Sequence, residues 1–511
     1  MVVLPFPLFC TNLYFALLCH LNRELARYQQ YIVIFCLIPG KPGTMNLKNY
    51  KPVAATPKPV KTDAAKIPSL RLFYLLILVY SFILYGNTIS NRYSIDDFYV
   101  TGSNPLVQQG IKAIPAIFSS YYISINAEEG GQHNFGYRPI AKTTFAIERQ
   151  IFGDNPHVSH FFNILLYALT GILLFQLLRR LLKNYHPFFP FLTVMLFLAH
   201  PLHTEVVASL KNREEILSFL GVLLALKYFL KFHDTGKKIN VLWGVLAFGL
   251  GFLSKANIMT FLVVIPLVMY FFTDISPKKN ILLAGSMMLM LLAALVIPRL
   301  FLGDASRPMQ FIENPLLFDV AFSERIGTAM MGLLFYLKML VFPHPLVYYY
   351  GFNMIPVTGL ANPLVWVSII LHLALLGFAL WKIREKHLLS FAVLFYLVNI
   401  SLYSNLVSPL TGMVAERSLY IALLGLCLAL VYGLFRLSGS APANPKISKK
   451  TLNYVLIGSV ILAIPATART IDRNGDWKDE LTLYAADAHN QEKSAKENFI
   501  YATNMRTSVV E

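Results

Sequence analysis

Two neighbouring carboxylates, Asp96 and Asp97, sit in the polar stretch "YSIDDFYVTGSNP" at 93–105, directly after an apolar run long enough to cross a bilayer. A carboxylate at such a place can act as general base for an acceptor hydroxyl, with its neighbour orienting it. The pair would also ligate a divalent cation if the chemistry uses one. A helix-end turn solvated by two acids is the plainer account of the same residues. Further along, "GYRPIAKTT" sets Arg138 before Pro139, a residue that favours the first turn of a helix, and aims Tyr137 and Arg138 at whatever occupies the adjoining cleft. The planar donor fork of arginine suits phosphate oxygens, although an arginine at headgroup depth satisfies the same spacing. "LKNREE" at 210–215 contributes Arg213, and "LSK" at 253–255 contributes Lys255. The turn "HPLHTE" at 200–205 offers His200, His203 and Glu205. Its spacing is not the i, i+4 pattern of a helical zinc pair and a proline intervenes, so hydrogen bonding to a substrate or a neighbouring loop is the expected role. In "AERSLY" at 415–420, helical spacing would bring Glu416 and Tyr420 to one face beside Arg417, and an ion pair of Glu416 with Arg213 or Lys255 would explain the motif equally well.

These groups are scattered over more than 300 positions, and the elements that must gather them are apolar. The chain has 511 residues, 56% hydrophobic and 14% charged, more apolar side chain than a soluble core buries. The reading is an all-α polytopic membrane protein. Its net charge of +17 resides in short clusters between apolar runs, and no basic stretch is interleaved with stacking aromatics, so nucleic acid is not an expected partner. Membrane lipids are.

A span needs about 20 apolar residues. Eleven candidate runs meet or approach that length, at about 69–90, 159–182, 187–206, 214–232, 239–254, 256–273, 280–302, 363–380, 388–407, 417–437 and 452–469. Ser254 and Lys255 interrupt the fifth and sixth, for which one tilted helix is the competing reading. The segment 326–346 is apolar too, but counting it as a crossing would invert every later loop, so a re-entrant or interfacial helix is expected there. The basic clusters, from Arg179, Arg180 and Lys183 through Lys237 and Lys238 to Lys382, Arg384 and Lys386, then fall on one side, which the positive-inside rule assigns to the cytosol. All the motifs above fall on the other. Residues 1–68 read as a basic cytoplasmic tail with Met45 as the real start, 69–470 as the transmembrane domain, and 471–511 as an outer helical extension with an amphipathic rhythm. Three of the four cysteines, Cys10, Cys19 and Cys36, lie in that tail and Cys427 in a span, which leaves neither a disulfide framework nor a CxxC metal site. "EEGG" at 128–131 lacks the lysine of a phosphate loop.

Taken in order, "DD" at 96–97, "YRP" at 137–139, "HPLHTE", "NREE" at 212–215, "LSK", "AERSLY" and "RNGDWKDELTLY" at 473–484 resemble the TMTC-type O-mannosyltransferases, multispan enzymes carrying tetratricopeptide repeats within the GT-C superfamily. The resemblance covers about residues 69–490. It implies a GT-C-like fold and transfer of a sugar, typically mannose, from a polyprenyl-phosphate carrier to a protein hydroxyl on the non-cytosolic face. It also implies an inverting reaction with Asp96 as base and Asp97 assisting, and Arg138, Arg213, Lys255 and Arg417 as candidates to hold the lipid phosphate. No other cofactor is implied beyond an optional divalent cation. The chain departs from the family at Ala256 and Asn257, where an acidic residue usually follows "LSK", and it holds at most the start of one repeat.

Two other classes fit an apolar polytopic chain. The same donor chemistry could serve a lipid or glycan acceptor, and a transporter or flippase would also carry many spans. A transporter places polar residues near mid-membrane in repeated halves, whereas here the charges gather at one face and no half-to-half symmetry is visible, which favours the enzyme. A noncatalytic assembly factor is a third reading. The expected location is a bacterial inner membrane, with the amino terminus cytoplasmic and the carboxyl terminus periplasmic; the endoplasmic reticulum membrane is the alternative.

Overall fold

The computed structural model describes residues 67–126, 132–302, 310–351, 353–406, 409–494 and 498–503. The basic tail, with Met45 and three of the cysteines, lies outside these residues, as do "EEGG" and the end of the carboxyl-terminal extension.

Each of the eleven apolar runs coincides with a helix, and the labels follow chain order: α1 (Leu70–Tyr85), α2 (Pro139–Phe152), α3 (Pro156–Leu181), α4 (Phe188–Ala199), α5 (Arg213–Thr235), α6 (Ile239–Ser254), α7 (Phe261–Phe272), α8 (Pro277–Arg299), α9 (Phe322–Val341), α10 (Pro363–Lys382), α11 (Leu388–Ser401), α12 (Leu423–Leu437), α13 (Lys449–Asp476) and α14 (Glu480–Ala488). By length and composition six of them, α1, α3, α5, α8, α10 and α13, suffice to cross a membrane, or seven if α4 and the helical turn after it, bent by 58°, form one span. The other apolar helices are 12 to 16 residues long, which puts the expected eleven full crossings beyond what length alone supports. Lys255 breaks the α6–α7 stretch: α6 stops at Ser254 and a 3-10 turn, Ala256–Thr260, precedes α7.

Helix starts follow the local chemistry. Side chains of Ser69, Asn155, Asn362 and Ser448 cap α1, α3, α10 and α13, and proline opens α2, α3, α8 and α10. In a bilayer there is no hydrophobic drive between helices, so close approach depends on small residues. Gly221 of α5 faces Gly251 of α6 so closely that a Cβ on Gly221 would stand 2.6 Å from the Gly251 Cα. Large apolar side chains remain exposed on α1, α8, α10 and α13, among them Leu75, Leu289, Ile370 and Ile461, and form a lipid-facing belt.

The helices share a polarity. At one end Arg180 donates to the Leu230 carbonyl, His233 meets Asp274, Lys386 donates to the Thr273 carbonyl and His387 meets Tyr432. At the other end lie the turns with Asp96, 200–212, 255–260 and 415–420. Helix α9 stays with this second end along its length: its contacts run from Thr328 with Thr358, through Tyr336 with Ala415, to Leu340 with His200. The segment expected over 326–346 is thus a helix over 322–341, followed by a loop that carries residues 343–350 to the same end. A two-stranded antiparallel hairpin, Ile123–Asn126 with Gln132–Phe135, projects from the first long loop there.

Candidate functional site

The acidic pair divides. Asp97 is fully buried, and its carboxylate accepts from the backbone N–H groups of Lys211 at 2.7 Å and Ser94 at 3.1 Å, and from the Ser209 hydroxyl at 3.3 Å. It ties the first long loop to the turn before α5. Burial pushes its carboxyl up to about 6, against the opposing pull of those N–H groups. Asp96 precedes the short helix Asp97–Val100, caps nothing, and leaves its side chain half exposed.

From Asp96 a chain of alternating charge runs inward. The Lys211 ammonium lies 3.8 Å from Asp96 Oδ2 and 3.7 Å from Glu214 Oε1. Glu214, with no exposed side-chain surface, also takes Arg138 at 2.5 Å and Lys255 at 2.9 Å. Lys255 bonds to Glu215 at 2.5 Å, and Asn257 donates to the other Glu215 oxygen at 2.6 Å. Asn257, in the segment that departs from the family pattern at Ala256 and Asn257, serves as an amide donor. The placement follows from the chain: α5 begins at Arg213, so Glu214 and Glu215 project from its first turn, where acids suit the helix N-terminus. The α6 break at Lys255 swings that ammonium toward them.

Arg417 forms a second unit, joining Glu205 through its guanidinium and, at 2.8 Å, through its backbone N–H. It lines one small cavity together with Asn257, Asn399 and Tyr403, so the Glu205 pair borders the Glu215 group. The guanidinium side chains of Arg138 and Arg417 keep 23% and 26% exposure, whereas Arg213 has none.

Arg213 stands apart from the group expected of it. Its donors are spent on Glu148 at 2.5 and 3.2 Å, Asn163 at 2.6 Å, Thr144 at 3.1 Å and the Ser159 carbonyl at 2.9 Å, and it stacks 4.0 Å over the Phe145 ring. It locks α2 and α3 to α5 and faces no cleft. The histidines are likewise internal. His203 Nε2 donates to the Tyr420 carbonyl at 3.2 Å, its Nδ1 meets the Tyr167 hydroxyl at 2.7 Å, which also reaches the Leu198 carbonyl, and His200 Nε2 donates to the Leu340 carbonyl at 3.1 Å. Among the described residues no group of three His, Cys, Asp or Glu could hold a metal. The Tyr137 hydroxyl donates to the Phe118 carbonyl at 2.8 Å.

Glu416 makes neither of the ion pairs weighed from sequence. It accepts from the Val347 N–H at 2.6 Å and the Tyr350 hydroxyl at 3.0 Å, on a 3-10 turn, Glu416–Leu419, in place of the expected α-helical opening. Tyr420, just past that turn, is buried against His203 and Phe219. Beyond Glu416, Arg473 at the end of α13 is buried and binds Asp487 of α14 at 2.5 and 2.8 Å, while Asp487 accepts from the Tyr348 N–H at 2.7 Å. The carboxyl-terminal motif is thus joined to the loop that holds Glu416. A larger apolar cavity of about 520 Å³ borders the start of the 200–205 turn, lined by His200, Leu340, Leu426, Ile461 and Pro465.

Lys211 and Glu214 were not among the residues singled out from sequence, although both stand in the quoted "LKNREE". The signal was the clustering of four charges at the start of an apolar helix, which requires a built site or mutual pairing.

Residues 139–300 match the family model of dolichyl-phosphate-mannose-protein mannosyltransferases. A protein O-mannosyl-transferase of Caenorhabditis elegans is 26% identical over 416 residues, which is 81% of this chain and 57% of that protein. The mouse protein O-mannosyl-transferase TMTC4 is 25% identical over 412 residues, 68% of this chain and 52% of the relative. Human TMTC1 is 31% identical over a shorter stretch of 157 residues, 30% of this chain and 18% of its own length. Even the relatives matched over two thirds or more of this chain are covered over only 41% to 57% of their own length.

Proposed function

We propose that this relative of the TMTC-type protein O-mannosyl-transferases is itself a membrane glycosyltransferase, moving mannose from a polyprenyl phosphate to a serine or threonine hydroxyl of a protein. Asp96 is the general base and the anomeric centre inverts. The observation that carries the reading is the pairing of a half-exposed Asp96 carboxylate with a buried, alternating array of Lys211, Glu214, Arg138 and Lys255 at one end of an apolar helical bundle. A lipid-borne donor enters such an end from the bilayer and a polypeptide enters from water.

Asp96 accepts the acceptor hydroxyl proton as its oxygen attacks the anomeric carbon, and the bond from that carbon to the phosphate oxygen breaks with its electron pair left on the phosphate. Fixed cations in a poorly hydrated pocket stabilise that growing charge because they need no reorganisation as it forms. A double displacement would need a second carboxylate free to attack the sugar, and the Asp97 oxygens are buried and bonded to Lys211, Ser94 and Ser209. Single displacement is what the remaining carboxylate can serve. Asp97 assists by fixing the loop. In this reading Arg138, Lys255 and Arg417 form the electropositive wall, the apolar cavity near Leu426 offers room for isoprene units, and the site end faces the periplasm of a bacterial inner membrane.

Full-length protein in detergent or nanodiscs, supplied with labelled polyprenyl-phosphate-mannose and a serine- and threonine-rich peptide, tests this. Asp96→Asn should lower turnover at least about 100-fold, as removal of a general base does, while donor affinity persists. Turnover in that variant equal to the unaltered chain removes Asp96 from the chemistry.

A further inference from the structure

We infer that Lys211, lying between Asp96 and Glu214, is the cation that takes up the phosphate charge released on sugar transfer, and that it is handed from Asp96 to the phosphate as Asp96 is protonated. This rests on the reading of the site as a polyprenyl-phosphate-sugar transferase.

The cations around the site differ in how firmly they are held. Arg138 and Lys255 are bonded to Glu214 and Glu215 at 2.5 to 2.9 Å, and Arg417 is bonded to Glu205. To serve a phosphate, each must leave a buried carboxylate. Lys211 stands 3.8 Å from one carboxylate and 3.7 Å from another, outside hydrogen-bond distance of both. Its ammonium is held in position by Coulomb attraction while its donors are spent on neither acid. The backbone supports this placement, because the Lys211 N–H is fixed on Asp97 at 2.7 Å and the side chain has only 12% exposure. Burial lowers the affinity of that amine for its proton, opposed by Glu214 and Asp96, so an anion brought close to it meets a poorly solvated cation.

Charge balance gives the handover its direction. Asp96, Glu214 and Glu215 oppose Lys211, Arg138 and Lys255, and the six sum to zero. A phosphodiester donor adds one negative charge. During transfer the bond between sugar and phosphate oxygen breaks and its electron pair stays on phosphate, so the leaving group gains a second charge. The acceptor oxygen forms the new bond to the sugar and loses its proton to Asp96, which becomes neutral. The attraction of Asp96 for Lys211 then disappears at the moment phosphate acquires charge. Lys211 thus links the base to the leaving group without changing its own protonation.

The test has an arm that needs no acceptor. Binding of decaprenyl phosphate, the bare leaving group, is measured for the unaltered full chain, Lys211→Met, Asp96→Asn and the double variant. Lys211→Met should weaken binding at least tenfold. Asp96→Asn, which frees the ammonium as protonation would, should tighten binding several-fold, and that gain should vanish in the double variant. Lys211→Gln repeats the comparison with a polar side chain, and thermal unfolding checks that each variant is folded. A gain from Asp96→Asn that survives loss of Lys211, or decaprenyl phosphate affinity unchanged in Lys211→Met and Lys211→Gln, overturns the inference. In the turnover assay Lys211→Met should lower kcat more than it raises KM for the donor, with recovery in Lys211→Arg. If Asp96→Asn abolishes turnover while both neutral Lys211 variants match the unaltered chain, the enzyme reading stands and this inference alone falls. If the unaltered chain neither binds decaprenyl phosphate nor transfers mannose, both fall.

Discussion

Arg213 and Lys211 are two residues apart and have opposite fates. Arg213 is sealed by four hydrogen bonds to side chains and one to a carbonyl, while the Lys211 ammonium lies 3.8 Å from the half-exposed Asp96 carboxylate. Removing one partner of a buried pair leaves the other charge uncompensated, so Arg213→Met should cost about 3–5 kcal/mol through the stranded Glu148. Thermal unfolding of the purified variant measures this. Donor affinity of whatever fraction remains folded should match the unaltered chain, and a selective loss of donor binding with stability intact would return Arg213 to the phosphate site. The sequence held the cations but not this division. Types and spacing announced that "LKNREE" carries charge at a span end, yet whether an arginine meets Glu148 or a cleft depends on a partner 65 residues away, which no local pattern encodes. The same holds for the acidic pair. "DD" is symmetrical on paper, and only the fold turns Asp97 onto three donors while leaving Asp96 open.

At the scale of elements, apolar runs were legible because a span declares itself within about 20 residues, and Pro139 marked the start of α2 by fixing its own backbone angle. The opening of α12 was not. "AERSLY" fits an α-helical rhythm, but Glu416 is drawn to the Val347 N–H and Tyr350 hydroxyl of a distant loop, and a 3-10 turn results. That contact has a pH signature. Burial, reinforced by the charges of Glu205 and Asp487, raises the Glu416 carboxyl to about 8, although Arg473 opposes it. The unfolded value is near 4.5, so the folded chain holds the proton more tightly. The resulting stabilisation is full below the unfolded value and is lost as pH rises through about 8. The unfolding midpoint should therefore drop as pH rises from about 4.5 to about 8 and level off above that. Glu416→Gln keeps the acceptor oxygen without the ionisation, and it should flatten that limb. An unchanged slope in Glu416→Gln would assign that loss to another group.

At the scale of the whole molecule, the two ends of the bundle differ in kind. One end gathers Glu205, Glu214, Glu215 and their cations into pairs on buried carboxylates, beside the half-exposed Asp96. The opposite end carries basic side chains that remain open to solvent, such as Lys237 and Lys238, beside the more exposed pairs of Arg180 with Asp234 and Lys382 with Glu385. Unpaired Lys and Arg resist translocation, so the basic end should stay in the cytosol and the site end should face outward. The proposed chemistry also requires this arrangement, because a polypeptide acceptor and an isoprenoid donor can meet Asp96 only if its end opens to water on the acceptor side. Single cysteines at Tyr99 and Lys238, both exposed, report the orientation directly in a background lacking the native thiols. A membrane-impermeant maleimide applied to intact spheroplasts should label Tyr99→Cys at once and reach Lys238→Cys only after permeabilisation. Labelling in the reverse order would put Asp96 in the cytosol, where the mannosyl transfer proposed above could not reach an exported acceptor.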